Sequence, residues 1–210
     1  MKQILLLVAL ALSLSLCNLS EKLSGKKSDS NSNSSSSSSN SSTGGETVEK
    51  PNPTAAQQAA LNGGQSATWV QQGMSWTMPA KWKQQQEPDS KSFQWGGGDT
   101  AFMNVGISPM GADFPADVSI NAFYKQAQDR KKNGEVDEVK WLEIDGLKGV
   151  QFRESKPEHP DDIRRLQWMA YRKYAGQTQL VNLMLSAQGN AFPKHEDEFY
   201  GILYSTKITH

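Results

Sequence analysis

"RRLQWMAYRKYAG" (Arg164–Gly176) and "QTQLVNLMLSAQG" (Gln177–Gly189) follow one another directly, and their pattern decides the fold. In the second run Val181, Leu183, Leu185 and Ala187 take alternate positions, the two-residue period of a β-strand. Leu180 and Met184 make the intervening face partly apolar as well. A strand apolar on both faces belongs in the centre of a sheet that is covered on both sides. With Gly176-Gln177 as the reversal, the two runs predict a long antiparallel hairpin.

Upstream, Val139, Trp141, Val150 and Phe152 supply alternating apolar positions around a turn at Asp145-Gly146. "SFQWGGGDTAFMNVGISP" (Ser92–Pro109) reads as another hairpin turning at Gly96–Asp99, where glycine supplies the positive dihedrals of a tight reversal. "ATWVQQGMSWTMP" (Ala67–Pro79) reads as two short strands meeting near Gly73 and stopped by Pro79. Two stretches change period. In "ADVSINAFYKQAQDRKKNGE" (Ala116–Glu135), Ile120, Phe123, Tyr124 and Ala127 lie on one helical face; Asp117 or Ser119 is expected to cap its start, and Asn133-Gly134 to stop it. "FPKHEDEFYGILYSTKI" (Phe192–Ile208) opens with Pro193 at a favoured first position and carries Phe199, Ile202 and Leu203 as a stripe. Strands, helix, strands, helix predict an α+β fold: an antiparallel β-sheet flanked by helices on both faces, an α/β/α sandwich over residues 66–210.

A family resemblance attaches to two short motifs. "MSWTMPAKW" (Met74–Trp82) resembles the aromatic-x-x-Pro-x-x-Trp opening of PsbP- and Mog1-like domains, with Ala80-Lys81 replacing the usual Lys-Gly or Glu-Gly. "FYGILYSTKI" (Phe199–Ile208) is similar to the final helix of those domains. The resemblance spans about residues 67–210 and implies the sandwich fold. It also implies a mostly non-enzymatic family, but fold alone does not assign function.

The first 65 residues are of another kind. Met1-Lys2 precedes an apolar stretch, Ile4–Leu16. At about 13 residues this is shorter than the roughly 20 needed to span a bilayer, and it suits the apolar region of an export signal. Leu14-Ser15-Leu16-Cys17 resembles the lipobox of bacterial lipoproteins, though Leu16 stands where Gly, Ala or Ser is usual. That resemblance implies a signal peptide over 1–17 and a lipid anchor on Cys17, the single cysteine of the chain. The plainer alternative is an ordinary signal peptide cleaved near the same point. Residues 18–65, with "SDSNSNSSSSSSNSSTGG", cannot bury enough apolar area to offset their ordering entropy and are expected to form a disordered linker. The chain is therefore expected at an extracytoplasmic membrane surface of the bacterial cell envelope.

The chemistry-bearing residues are few. The 22 basic and 22 acidic residues balance, so nothing favours nucleic acid, which demands clustered cations. One cysteine permits neither an intrachain disulfide nor a thiolate metal cage. No G-x-S-x-G or H-E-x-x-H occurs. The densest group of potential ligands is Glu158, His159, Asp161 and Asp162 within "KPEHPDDIRR" (Lys156–Arg165), which reads as an exposed connection. His195 and Glu198, three apart on the last helix, read as a solvated face. Arg153, Lys156, Arg164, Arg165, Arg172 and Lys173 alternate with acids and read as ordinary surface. Trp69, Trp76, Trp82 and Trp95 crowd the first third of the domain, where at least one ring is expected to be exposed in a groove. The expectation is a non-catalytic binding or assembly module with an envelope protein partner and neither cofactor nor metal. The competing expectation is a metal-binding protein or enzyme built on the Glu158–Asp162 loop.

Overall fold

The two back-to-back runs do form the spine of the molecule. A computed structural model describes residues 47–209 apart from Asp99. In chain order its strands are β1 (Val48–Glu49), β2 (Gln65–Trp69), β3 (Met74–Met78), β4 (Lys83–Gln84), β5 (Ser92–Gly96), β6 (Phe102–Pro109), β7 (Val136–Ile144), β8 (Leu147–Glu154), β9 (Ile163–Tyr174), β10 (Gln177–Gln188) and β11 (Lys207–Ile208). The helices are α1 (Ala55–Ala60), α2 (Ala116–Lys132) and α3 (Phe192–Tyr204).

Within the described residues, eight strands make one sheet in the order β1-β7-β8-β9-β10-β6-β5-β4. Strands β9 and β10 pair in register from Ile163 opposite Gln188 to Tyr174 opposite Gln177, with the reversal at Ala175-Gly176. Strand β10 is interior, between β9 and β6, as its two-sided apolar pattern requires. Pairing is antiparallel except at one edge, where β1 runs parallel to β7 through Val48–Trp141 and Glu49–Leu142.

The alternation of each strand divides two cores. Leu142 and Ile144 of β7, Leu166, Trp168 and Ala170 of β9, and Val181, Leu183 and Leu185 of β10 face α3, which contributes Phe192, Phe199, Ile202 and Leu203. On the other face Trp141, Val150 and Phe152 pack against Ala127, with Ile120 and Tyr124 alongside. The Tyr124 ring stacks on Trp141 with centroids 4.5 Å apart. The chain is an α+β sandwich with helices on both faces of its main sheet.

The structure corrects four expectations. Residues 47–65 are not linker: β1 lies there, and α1 is closed by a capping box in which Thr54 and Gln57 satisfy each other's backbone N–H. Residues 1–46, including Cys17 and the serine tract, lie outside the described residues. A second sheet, β11-β3-β2, joins α3 in covering one face. Its β2–β3 turn closes through Gly73 in the left-handed region, at φ 58°. All six tryptophans are buried, so none is displayed in a groove, and the extra layer belongs to the core that encloses Trp69, Trp76, Trp82 and Trp95. Trp69 and Trp76, for example, stack on Phe93 at 5.6 and 5.0 Å. Finally, neither Asp117 nor Ser119 caps α2. Pro115 holds the cap position, and the Ser119 hydroxyl bonds the Tyr171 hydroxyl at 2.9 Å.

Candidate functional site

The Glu158–Asp162 loop joins β8 to β9, and Glu158, His159, Asp161 and Asp162 are all exposed. Its polar backbone is occupied in closing the end of the sheet. Asp162 accepts from the Gly189 N–H at 2.8 Å, and Pro160 accepts from the Asn190 N–H at 3.0 Å. Pro157 presses so closely on Gly189 that a Cβ there would lie 2.5 Å from it. The structure does not gather the four side chains into a ligand set, and among the described residues no cluster of His, Cys, Asp and Glu could hold a metal ion.

His195 and Glu198 do meet, at 2.8 Å, and both are half-buried rather than solvated. Glu198 Oε2 also accepts the indole N–H of Trp82 at 3.2 Å, while the His195 ring stacks on Phe199. Trp82 itself meets Phe199 edge-on and lies so near Gly97 that a Cβ there would fall 2.3 Å from the indole. This constellation clamps the Pro79–Trp82 turn to α3. The basic residues expected to lie among acids on an ordinary surface do meet acids, Arg153 and Arg164 pairing with Asp137 and Arg165 with Glu154, but Arg164 and Arg172 are buried, Arg172 lying over the Tyr174 ring.

What sequence reading missed is an open cleft of about 370 Å³ where α1, α3, β7 and β8 converge. One wall is Asn52 and Thr54 from the chain leading into α1 and Gln57 from its first turn. The opposite side is Glu138 and Arg153 from adjacent strands, faced by Glu196, Asp197, Tyr200 and Tyr204 from α3. Tyr200 and Tyr204 come together because positions four apart share a helical face. Glu138 and Lys140 share the α3-facing side of β7 because alternate residues do.

These side chains are bonded to one another. The Tyr200 hydroxyl donates to Glu138 Oε2, and Gln151 donates to Glu138 Oε1 at 3.0 Å. Lys140 bridges Glu138 Oε1 and Glu49 Oε2, each at 3.1 Å. Arg153 gives one N–H to Asp137 at 2.8 Å and another to Glu196, and lies 3.3 Å from the Tyr200 hydroxyl. Burial alone would lift the Glu138 carboxyl, but the Tyr200 hydrogen bond and the Lys140 and Arg153 charges outweigh it and hold the carboxyl below the usual carboxylate range. Burial, then the hydrogen bond to Glu138, pushes Tyr200 well above the ordinary phenol value. Burial disfavours the Lys140 charge, yet Glu138 and Glu49 more than compensate and the ammonium is held above its normal value. These directions favour Glu138 as the carboxylate, Lys140 and Arg153 as cations, and Tyr200 and Tyr204 as neutral phenols at neutral pH.

The signal for this site was present but weak: a charged pair, Glu138 and Lys140, on the inward side of a strand whose other side carries Val139 and Trp141.

No protein-family model matches the sequence, and no curated protein matches it. Among solved structures the chain is similar to cyanobacterial PsbP (CyanoP) from Synechocystis sp. PCC 6803, at 14% identity and a TM-score of 0.43, covering 69% of this chain and 92% of that one. It is similar to LpqN, involved in cell envelope biogenesis of Mycobacterium tuberculosis, at 13% identity and a TM-score of 0.49, covering 70% of this chain and 86% of that one. It is similar also to a protein of Bacteroides thetaiotaomicron, at 13% identity and a TM-score of 0.42, covering 70% of this chain but 49% of the other. No helix among the described residues is long and apolar enough to cross a membrane.

Proposed function

We propose that this chain is a cell-envelope lipoprotein, anchored through Cys17, whose folded domain is a non-catalytic binding module for an envelope protein partner. The observation that carries the binding reading is the cleft beside α1. Its ionisable groups are bonded to one another: Tyr200 to Glu138, Glu138 to Lys140, and Arg153 to Glu196. A carboxylate held below its usual range is a poor base, and a phenol held above its usual range is a poor acid, so the pair is suited to recognition rather than proton transfer. Glu196 is already paired with Arg153, so it is exposed Asp197 that gives the mouth of the cleft its acidic character, which favours a partner presenting a basic side chain. The anchor rests on the apolar stretch Ile4–Leu16 and on the position of the single cysteine at its end.

Two measurements test the two halves. Cys17→Ser is expected to move the protein from the detergent phase to the aqueous phase; unchanged partitioning contradicts the anchor. Asp197→Lys alters the mouth without touching the core. It is expected to abolish recovery of the partner after crosslinking in intact envelopes, and undiminished recovery contradicts binding at the cleft.

A further inference from the structure

One wall of the cleft is held far more weakly than the other. Asn52, Thr54 and Gln57 belong to Val48–Leu61, whereas the facing residues are carried by long paired strands and by α3. We propose that Val48–Leu61 is a strap that docks and releases as a unit, so that its docking makes or unmakes the cleft. The regulatory part of this proposal rests on the reading of the cleft as the binding site.

Apart from Val48 and Leu61, which are half-buried against the two cores at its ends, each attachment of the strap is small. Strand β1 contributes two residues to the edge of the sheet, against twelve for β9 and for β10. Helix α1 has six residues, none of them buried, far below the roughly 12–15 at which an isolated helix persists in water. It keeps its shape only while seated on α3. The seat exists because residue 201 is glycine: a Cβ there would fall 2.8 Å from the Gln57 carbonyl oxygen and 3.1 Å from Leu61 Cγ. The accompanying ion pairs, Lys50–Glu143 at 3.3 Å and Glu49–Lys140 at 3.1 Å, each involve a largely exposed partner, and pairs of that kind contribute little. Local opening of such a segment lies well below global unfolding.

Release of the strap is felt in the cleft. The Lys140 ammonium is shared between Glu49 on the strap and Glu138 in the cleft. Undocking removes Glu49 from that ammonium and takes Asn52, Thr54 and Gln57 away from the opening. A partner that contacts the complete cleft therefore stabilises the docked strap, and a docked strap strengthens the partner's binding by the same factor.

Native-state hydrogen exchange on the full-length Cys17→Ser protein tests the proposal. Strap amides are expected to exchange at least about 100-fold faster than those of β9 and β10. Thr54→Ala removes the capping box and is expected to speed strap exchange about five- to tenfold, leaving β9 and β10 unchanged. Gly201→Ala is expected to abolish strap protection altogether. A fluorophore on Asp197→Cys in the same background is expected to change emission when Gly201→Ala is added. Strap amides that exchange at the rate of β9 and β10, with Thr54→Ala accelerating both equally, would overturn the proposal. An unchanged fluorophore despite lost strap protection would overturn the link to the cleft. Neither readout requires a partner, so failed partner capture with the expected exchange pattern counts against the binding reading alone.

Discussion

The indole N–H of Trp82 is donated to the carboxylate of Glu198 across 3.2 Å, joining the turn after Pro79 to the first half of α3. Trp82 is buried, so its N–H has no water to turn to if the carboxylate is removed. Glu198→Ala is expected to destabilise the domain by about 1–3 kcal/mol through that orphaned donor. Trp82→Phe removes the donor as well and is expected to lose mainly packing, about 1–3 kcal/mol. If the bond matters, the double variant is less destabilised than the sum of the two singles. Urea denaturation of all four proteins measures this, and strict additivity would contradict the coupling.

Gly149 in β8 faces Trp168 of the neighbouring strand. A Cβ at 149 would lie 2.5 Å from the indole nitrogen and 2.6 Å from the Met169 carbonyl oxygen. The indole is fixed by its own bond to the Leu142 carbonyl at 3.1 Å. With backbone on one side and an anchored ring on the other, Gly149→Ala is expected to cost at least about 2–3 kcal/mol. A thermal midpoint equal to wild type would show that the sheet yields there.

Stability should depend on pH through Glu138 and Tyr200, in opposite directions. The folded Glu138 carboxyl titrates below its unfolded value, so its contribution is present above about pH 4–5 and is lost as pH falls through the folded value. The folded Tyr200 titrates above its unfolded value, so its contribution is present below about pH 10 and is lost as pH rises beyond it. Glu138→Gln is expected to flatten the acid limb and Tyr200→Phe the alkaline limb of a denaturation-midpoint profile. Profiles parallel to wild type at both ends would contradict the network.

Arg164 is buried beneath the same region: its guanidinium lies 4.5 Å from the Phe192 ring centroid, with N–H groups on Asp137 at 2.6 Å and the Glu154 carbonyl at 2.8 Å. Arg164→Ala leaves exposed Asp137 still paired with Arg153 but strips the Glu154 carbonyl of its donor and uncovers the Phe192 ring, and is expected to cost about 1–3 kcal/mol. Arg164→Lys keeps the charge but not the fork, and is expected to recover less than half of that. Full rescue by lysine, read by urea denaturation, would contradict a geometric role for the guanidinium.

The elements legible in the sequence are those whose period is local and long. The hairpin of β9 and β10, the stripe of α2 and the opening of α3 at Pro193 each repeat their signal over a dozen residues or more. Strand β1 is two residues whose extended state is imposed by β7, some ninety positions away, so no local pattern announces it. Helix α1 carries a local sign, Thr54 three before Gln57, but lacks the apolar stripe that would mark a helix against its polar surroundings. The burial of Trp69 and Trp76 depends on a second sheet completed by β11 from the far end of the chain. The cleft is harder still to read. Tyr200 meets Glu138 across 62 positions, so alternation on β7 and spacing on α3 become a site only after folding.

Site-specific photocrosslinking in intact envelopes tests the central claim most directly. One photoreactive residue replaces Asp197 at the cleft mouth, and another replaces exposed Val118 on α2, across the main sheet. A discrete adduct from position 197 and none from position 118 is the predicted result. An adduct from 118 alone would place the partner on the opposite face and contradict the account.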